Sequence, residues 1–247
     1  MSCINFDVFN TISNYLNILF EMKRYVVLIL LFSSLAFTVY CQNSEQRELP
    51  FFDKLKVTNQ IKVYLTHGNE NKARIVSSGV QFDDIITEVE AKTLEITFGR
   101  GLYKDVSVEV YLTYKELRDI YVSASGRASF QNELSGDKVV FNANTNGAIE
   151  ATVDLRTSDI VVNKAGSIRL DGNLGTFEAK VSSAGVLTTS NLIADSVYVT
   201  VKTKGLAKIS AKELLEANVR TGGTLSLTGQ PKNKSIKTGF GGIVNEN

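Results

Sequence analysis

Tryptophan is absent from this 247-residue chain, histidine occurs once, and cysteine, proline and methionine occur twice each. Each scarcity removes a class of explanation. With Cys3 and Cys41 the only cysteines, both near the N-terminus, the remainder can hold neither a disulfide framework nor a thiolate metal site. A single histidine, His67, leaves no histidine metal cluster, and a Ser/His/Asp triad would need partners that the chain does not signal. Pro50 and Pro231 alone mark no internal linker. A formal net charge of +1 gives no electrostatic reason to expect a nucleic-acid partner, and 43% hydrophobic content excludes a disordered chain. No phosphate-binding loop, basic-aromatic array or amphipathic membrane helix is present. These absences imply no cofactor and no metal.

The N-terminus has the layout of an export signal. Met22-Lys23-Arg24 is a short basic region, Tyr25 to Val39 is apolar, and Gln42 to Glu45 is polar. Cleavage after Cys41 places Val39 and Cys41 at the two positions a signal peptidase reads. The apolar run is shorter than the ~20 residues of a comfortable membrane span. Retention as an anchor is one alternative. Acylation of Cys41 is another, opposed by Tyr40 where such sites carry a small residue. The division that follows is a leader over 1–41, with Met22 as the functional start, a linker over 42–50, and one domain over 51–247. The exported protein would then reside in the periplasm, at the outer membrane or on the cell surface.

What the sequence has in plenty is a periodic glycine. Gly126, Gly147, Gly166, Gly185, Gly205, Gly223 and Gly242 recur about every 19 residues, the signature of a solenoid with one coil per repeat. Aligned on these glycines, the residues four before are Val122, Ala143, Val162, Val181, Val201 and Val219. For the coils of Gly126 to Gly223, the columns six before, two after and four after are also apolar, with Thr189 the one polar exception. Intervening columns are mixed or polar. Period-two alternation on both sides predicts strand, tight turn, strand, and a looser return carrying one more apolar residue (Leu134, Val153, Leu174, Leu192, Leu214). Glycine is expected at the turn for its access to positive φ.

An antiparallel meander fits the alternation too, but only parallel stacking explains why like sits on like down a column. The fold class is therefore all-β, a parallel β-helix of about 19 residues per coil. Residues 51–115 alternate without the repeat and are expected to form an irregular β N-terminal cap on the regular coils of 116–247. Pro231, Lys232, Lys234 and Lys237 are candidates for blunting the last strand edge.

The opening Phe52-Asp53-Lys54-Leu55-Lys56-Val57 and Ile61-Lys62-Val63-Tyr64-Leu65, followed by the glycine turns Ser125-Gly126-Arg127-Ala128 through Lys204-Gly205-Leu206-Ala207, resembles the head GIN domain family of auto-transporter adhesins. The resemblance runs from about Phe52 to the end. It implies a right-handed, pectin-lyase-like β-superhelix, no catalytic residues, and cell adhesion at a Gram-negative envelope. The Gly-Ser-Gly form of the family turn is missing.

Two surface features invite a function. Tyr121, Val140, Val161 and Tyr198 are outward positions of one sheet, a candidate binding stripe for a glycan or protein partner unless the N-terminal segment covers it. Asp159, Glu178 and Glu216 share an outward column, which supports an alternative as a polysaccharide lyase or hydrolase. Lys180, beside Glu178, supports ordinary surface pairing instead. The leading reading is a non-catalytic binding and adhesion module. A regulatory interaction module of the envelope is a further alternative. Contact with a membrane is foreseen only through an uncleaved leader.

Overall fold

Residues 44–101 and 103–246 are described by a computed structural model; the leader, with Met22 and Cys41, lies outside them. The N-terminal part comprises β1 (Ser44–Glu48), β2 (Lys54–Val57), β3 (Lys62–His67), β4 (Lys72–Ser78), β5 (Ile85–Glu90), β6 (Thr93–Phe98) and β7 (Ser107–Tyr114), with one short 3-10 turn, Phe82–Asp84. The repeating part comprises β8 (Asp119–Val122), β9 (Arg127–Phe130), β10 (Leu134–Ala143), β11 (Ala148–Val162), β12 (Ser167–Val181), β13 (Val186–Thr189), β14 (Leu192–Val201), β15 (Leu206–Ser210), β16 (Leu214–Val219), β17 (Thr224–Thr228), β18 (Asn233–Thr238) and β19 (Ile243–Glu246). All are hydrogen-bonded into one continuous sheet wound as a solenoid.

Parallel register puts equivalent positions in contact. Val162 pairs with Val181, Val181 with Val201 and Val201 with Val219. All four are fully buried. Side chains stacked this way at about 4.8 Å intervals form continuous apolar columns, and their shared core holds the coils together. Thr189 fits among them because its hydroxyl donates to the carbonyl of Lys208 at 3.3 Å.

Each full coil has three walls. The first holds β8, β16, β18 and the C-terminal halves of β10, β11, β12 and β14; the second holds β9, β13, β15, β17, β19 and the starts of β11 and β12. The return is not loose: Leu134–Gly136, Val153–Leu155, Gly172–Leu174 and Leu192–Ala194 pair as a third wall. Its two inward columns are buried at Leu134, Val153 and Leu192, and at Leu155, Leu174 and Ala194. Leu214, grouped with them in the sequence, instead begins the first wall. Gly136 and Gly172 interrupt the apolar pattern, so alternation alone could not reveal this strand.

From β8 onward, every change in repeat length falls between the second wall and the first strand of the next coil. Ser129 pairs with Glu150, 21 residues on, whereas Leu134 pairs with Val153, 19 on. Likewise Arg169 pairs with Thr188 at 19 and Gly172 with Leu192 at 20.

The corner between first and second walls corrects the glycine argument. Positive φ falls on the two residues before the glycine: Lys164 (48°) and Ala165 (59°), or Ser183 (52°) and Ala184 (59°). The glycine N–H closes the turn, as in Gly185 N–H to Ser182 O at 2.9 Å. Glycine stands there because a Cβ would strike the preceding coil. On Gly205 it would lie 2.8 Å from the carbonyl oxygen of Val181, and on Gly223 2.6 Å from that of Val201. In the N-terminal coil the matching residue is Ile61, fully buried, next to the long Gly99–Val106 connection in place of a tight turn. The turns also bond to one another: Asn146 N–H to Lys164 O (3.0 Å), Ala165 N–H to Ser183 O (2.9 Å) and Ala184 N–H to Thr203 O (3.1 Å). They form one hydrogen-bonded ridge.

The N-terminal strands are ordered differently from their sequence. β2 lies between β6 and β8, and β3 between β7 and β9, all parallel. Antiparallel β5 closes β6, while β4 and then β1 close β7. At the other end Lys234 pairs in register with buried Leu215, and Glu246 with buried Leu227. Both therefore occupy core-facing columns, and their side chains form a 2.6 Å ion pair over the end of the core. Inward charge of this kind discourages a further strand from pairing.

Candidate functional site

The outer face of the first wall carries every outward residue singled out above. In the column seven before each glycine, Asp119, Val140, Asp159, Glu178, Tyr198, Glu216 and Ser235 are successive register partners. In the column five before, the order is Tyr121, Asn142, Val161, Lys180, Thr200, Asn218 and Lys237. Strand alternation turns both columns outward because the residues between them fill the core.

The structure divides the candidate stripe. Tyr121, Val140 and Val161 are half-buried and cluster about Asn142, whose Oδ1 is buried without a partner. Tyr198 lies apart: Asp159 and Glu178 stand between it and Val140 in their shared column. The N-terminal strands extend the walls edge to edge through β2–β8 and β3–β9 pairing and leave Tyr198 37% exposed.

Around Tyr198 the face forms a shallow groove of about 360 Å³ lined by Glu178, Thr200, Glu216, Asn218, Ser235 and Lys237. The phenol ring has a carboxylate on each neighbouring strand. An exposed aromatic face flanked by acceptors, an amide and hydroxyls matches the needs of a polyhydroxylated ligand, which offers C–H faces for stacking and O–H groups for hydrogen bonding. Thr200, Asn218 and Ser235 were not singled out in the sequence, and Lys237 was singled out only as an edge-blunting residue. The signal was present, since they occupy the same two outward columns.

The three carboxylates differ in their neighbours. Asp159 is paired with Lys138 at 2.6 Å and Glu178 with Lys180 at 2.8 Å. The Glu178 hydrogen bond and charge hold the Lys180 ammonium above its ordinary value. Glu216 lies one strand beyond Tyr198. Among the described residues no three His, Cys, Asp or Glu side chains converge to hold a metal ion.

His67 ends β3 at the surface, its ring edge-on to Tyr114 with centroids 5.7 Å apart. Its backbone N–H donates to Asn132 Oδ1 at 3.1 Å. It borders a cleft of about 610 Å³ beside the first third-wall strand, shared with Lys115, Arg118 and Glu133. Tyr114, in the cleft wall, is buried and its hydroxyl has no partner, so desolvation pushes its pKa up to about 12.

Comparison with known proteins agrees with this architecture. The sequence profile described as "Putative auto-transporter adhesin, head GIN domain" matches residues 51–231. Among curated proteins, no sequence matches the chain. A crystal structure of a putative adhesin from Bacteroides fragilis superposes with a TM-score of 0.74 at 18% identity, covering 83% of this chain and 96% of that one. A putative lipid binding protein from Parabacteroides distasonis gives 0.66 at 18% identity over 83% and 96%. A putative adhesin from Parabacteroides merdae gives 0.65 at 16% identity over 83% and 95%. At these identities the likeness is one of fold. No helix among the described residues is long and apolar enough to cross a membrane.

Proposed function

The chain belongs to the head GIN domain family of auto-transporter adhesins, and from that premise we propose that it is an exported, non-catalytic binding module of the cell envelope that engages a glycan through the Tyr198 groove. The observation that carries this is the in-register sequence Glu178–Tyr198–Glu216 on an exposed face, with Thr200 and Asn218 beside it. The rigid stack fixes the ring and its flanking acceptors before any ligand arrives, which reduces the entropy lost on binding.

Export rests on the basic and apolar leader, Met22 to Cys41. The non-catalytic reading draws support from the adhesin family and from the lysine partners of Asp159 and Glu178. A hydrolase using Asp159, Glu178 and Glu216 would need two of them free to face one bond, and Tyr198 stands between Glu178 and Glu216.

Calorimetric titration of the full chain with a panel of neutral oligosaccharides tests the proposal. At least one should bind, and Tyr198→Ala should weaken it about tenfold or more while leaving the β-sheet circular dichroism unchanged. Equal affinity in the variant removes the groove from the function. Reproducible cleavage of a polysaccharide would replace the binding reading with the enzymatic one.

A further inference from the structure

The ridge of turns has a chemistry of its own. Within residues 201–246 there are eight basic and three acidic side chains, a net +5, whereas 44–200 carries seventeen basic and twenty-one acidic ones, a net −4. Of the three acids, Glu213 is paired with Lys232 and Glu246 with Lys234. None of the six turn segments from 144–146 to 239–241 contains an acid. Their cations, Lys164, Lys202, Lys204 and Arg220, are all exposed.

The end of this ridge is apolar. Phe240, at the tip of the last turn, is 95% exposed, and beside the ridge Ile243 and Leu206 are 53% and 45% exposed. Adjacency is direct: a Cβ on Gly239 would lie 3.0 Å from the Cβ of Arg220, and one on Gly222 would lie 3.8 Å from the Cγ of Lys204. Nothing in the core is served by leaving a phenyl ring in water. A protruding phenyl ring at the end of a row of turns that carries Arg220 on the next turn and Lys202 and Lys204 on the one beyond suits a surface that is anionic outside and apolar just beneath.

We infer that this ridge docks on an anionic lipid surface, with Phe240 inserted at the headgroup boundary and Lys202, Lys204 and Arg220 against the headgroups. Basic residues near such a surface are drawn to it by its negative potential, and the attraction is screened over about 10 Å at moderate salt. An anionic polysaccharide would satisfy the lysines but would leave Phe240 unexplained. Docking this way stands the Tyr198 face roughly upright from the lipid, because the ridge is the edge between the first and second walls. The inference does not depend on the groove binding a glycan.

The absence of tryptophan provides the test. Phe240→Trp in the full chain gives a single tryptophan that, excited selectively over the nine tyrosines, reports the ridge alone, even where the leader itself attaches to lipid. Its emission should shift to the blue, and be quenched by bromine-labelled acyl chains, with vesicles of phosphatidylcholine mixed with phosphatidylglycerol. Phosphatidylcholine alone should leave it unchanged. Adding Lys202→Glu, Lys204→Glu and Arg220→Glu should weaken that response about tenfold or more, as should high salt. No shift on the anionic vesicles overturns the inference, as does an equal shift on neutral ones. A response to polygalacturonate with none to vesicles assigns the ridge to a glycan instead.

Discussion

The carbonyl oxygen of Val162 lies 2.6 Å from where a Cβ on Gly185 would stand. Neither atom can yield easily, because that carbonyl also accepts the N–H of Ser182 at 2.9 Å. The turn ridge and the valine column are thereby locked together, and the chain tolerates no side chain at their junction.

Gly185→Ala should therefore destabilise the fold by about 3 kcal/mol through strain at the coil junction. Ala184→Gly should have the opposite sign. It releases a left-handed alanine, worth about 1–2 kcal/mol, against about 0.5–1 kcal/mol of added chain entropy in the unfolded state. Chemical denaturation of the two variants beside the parent checks both; equal and opposite-to-expected midpoints would return the φ argument to the glycine itself.

Replacing both Lys234 and Glu246 with leucine should turn the C-terminal end from a barrier into an adhesive edge. Sedimentation velocity should then show association that grows with concentration beyond that of the parent. Either single replacement leaves one charge facing the core and should associate less than the double variant. Unchanged sedimentation of the double variant would mean the ion pair does not protect the edge.

Tyr114 makes stability sensitive to alkali. Its hydroxyl is neutral in the folded state up to about pH 12 but ionises near 10 when unfolded. Above pH 10 the unfolded chain binds fewer protons than the folded one, so stability falls as pH rises, levelling beyond 12. The loss is about 1–3 kcal/mol. Tyr114→Phe should remove that part of the alkaline slope and, by deleting an unpartnered hydroxyl, leave neutral stability unchanged or slightly higher. Identical slopes between pH 9 and 12 would show that the hydroxyl is not desolvated in solution.

Glu178, Glu216 and Asp159 offer a separate check on chemistry. Changing all three to alanine should alter glycan affinity through Glu178 and Glu216, and should leave the thermal midpoint within a few degrees, since exposed ion pairs contribute little. A large loss of stability would mean the pairs with Lys138 and Lys180 do more than the surface position of these groups implies.

The apolar columns were legible because parallel stacking repeats the same demand on each coil: Val162, Val181 and Val201 answer one environment. The reason for the glycine was not legible. Of the left-handed pairs, Ala124-Ser125, Lys164-Ala165, Ser183-Ala184 and Thr203-Lys204 do not advertise that conformation, only Asn146 and Gly222 in the other two do, and the collision that excludes a side chain involves a carbonyl a full coil away. Insertion of β2 and β3 between later strands was hidden for the same reason, since their partners are 39 to 65 residues distant and nothing local records them. The Tyr198 groove was half visible. Its members sit in two outward columns, yet grouping by apolar character joined Tyr198 to Tyr121 and Val161 and passed over Thr200 and Asn218.

Confinement of length variation in the regular coils, from β8 onward, to one seam between the second wall and the next first wall makes this protein a natural display scaffold. The additional residue at Ser190–Asn191 shows the stack absorbing a local excess without losing register on either side. A foreign peptide grafted there would emerge as an outward loop while the valine column closed beneath it undisturbed.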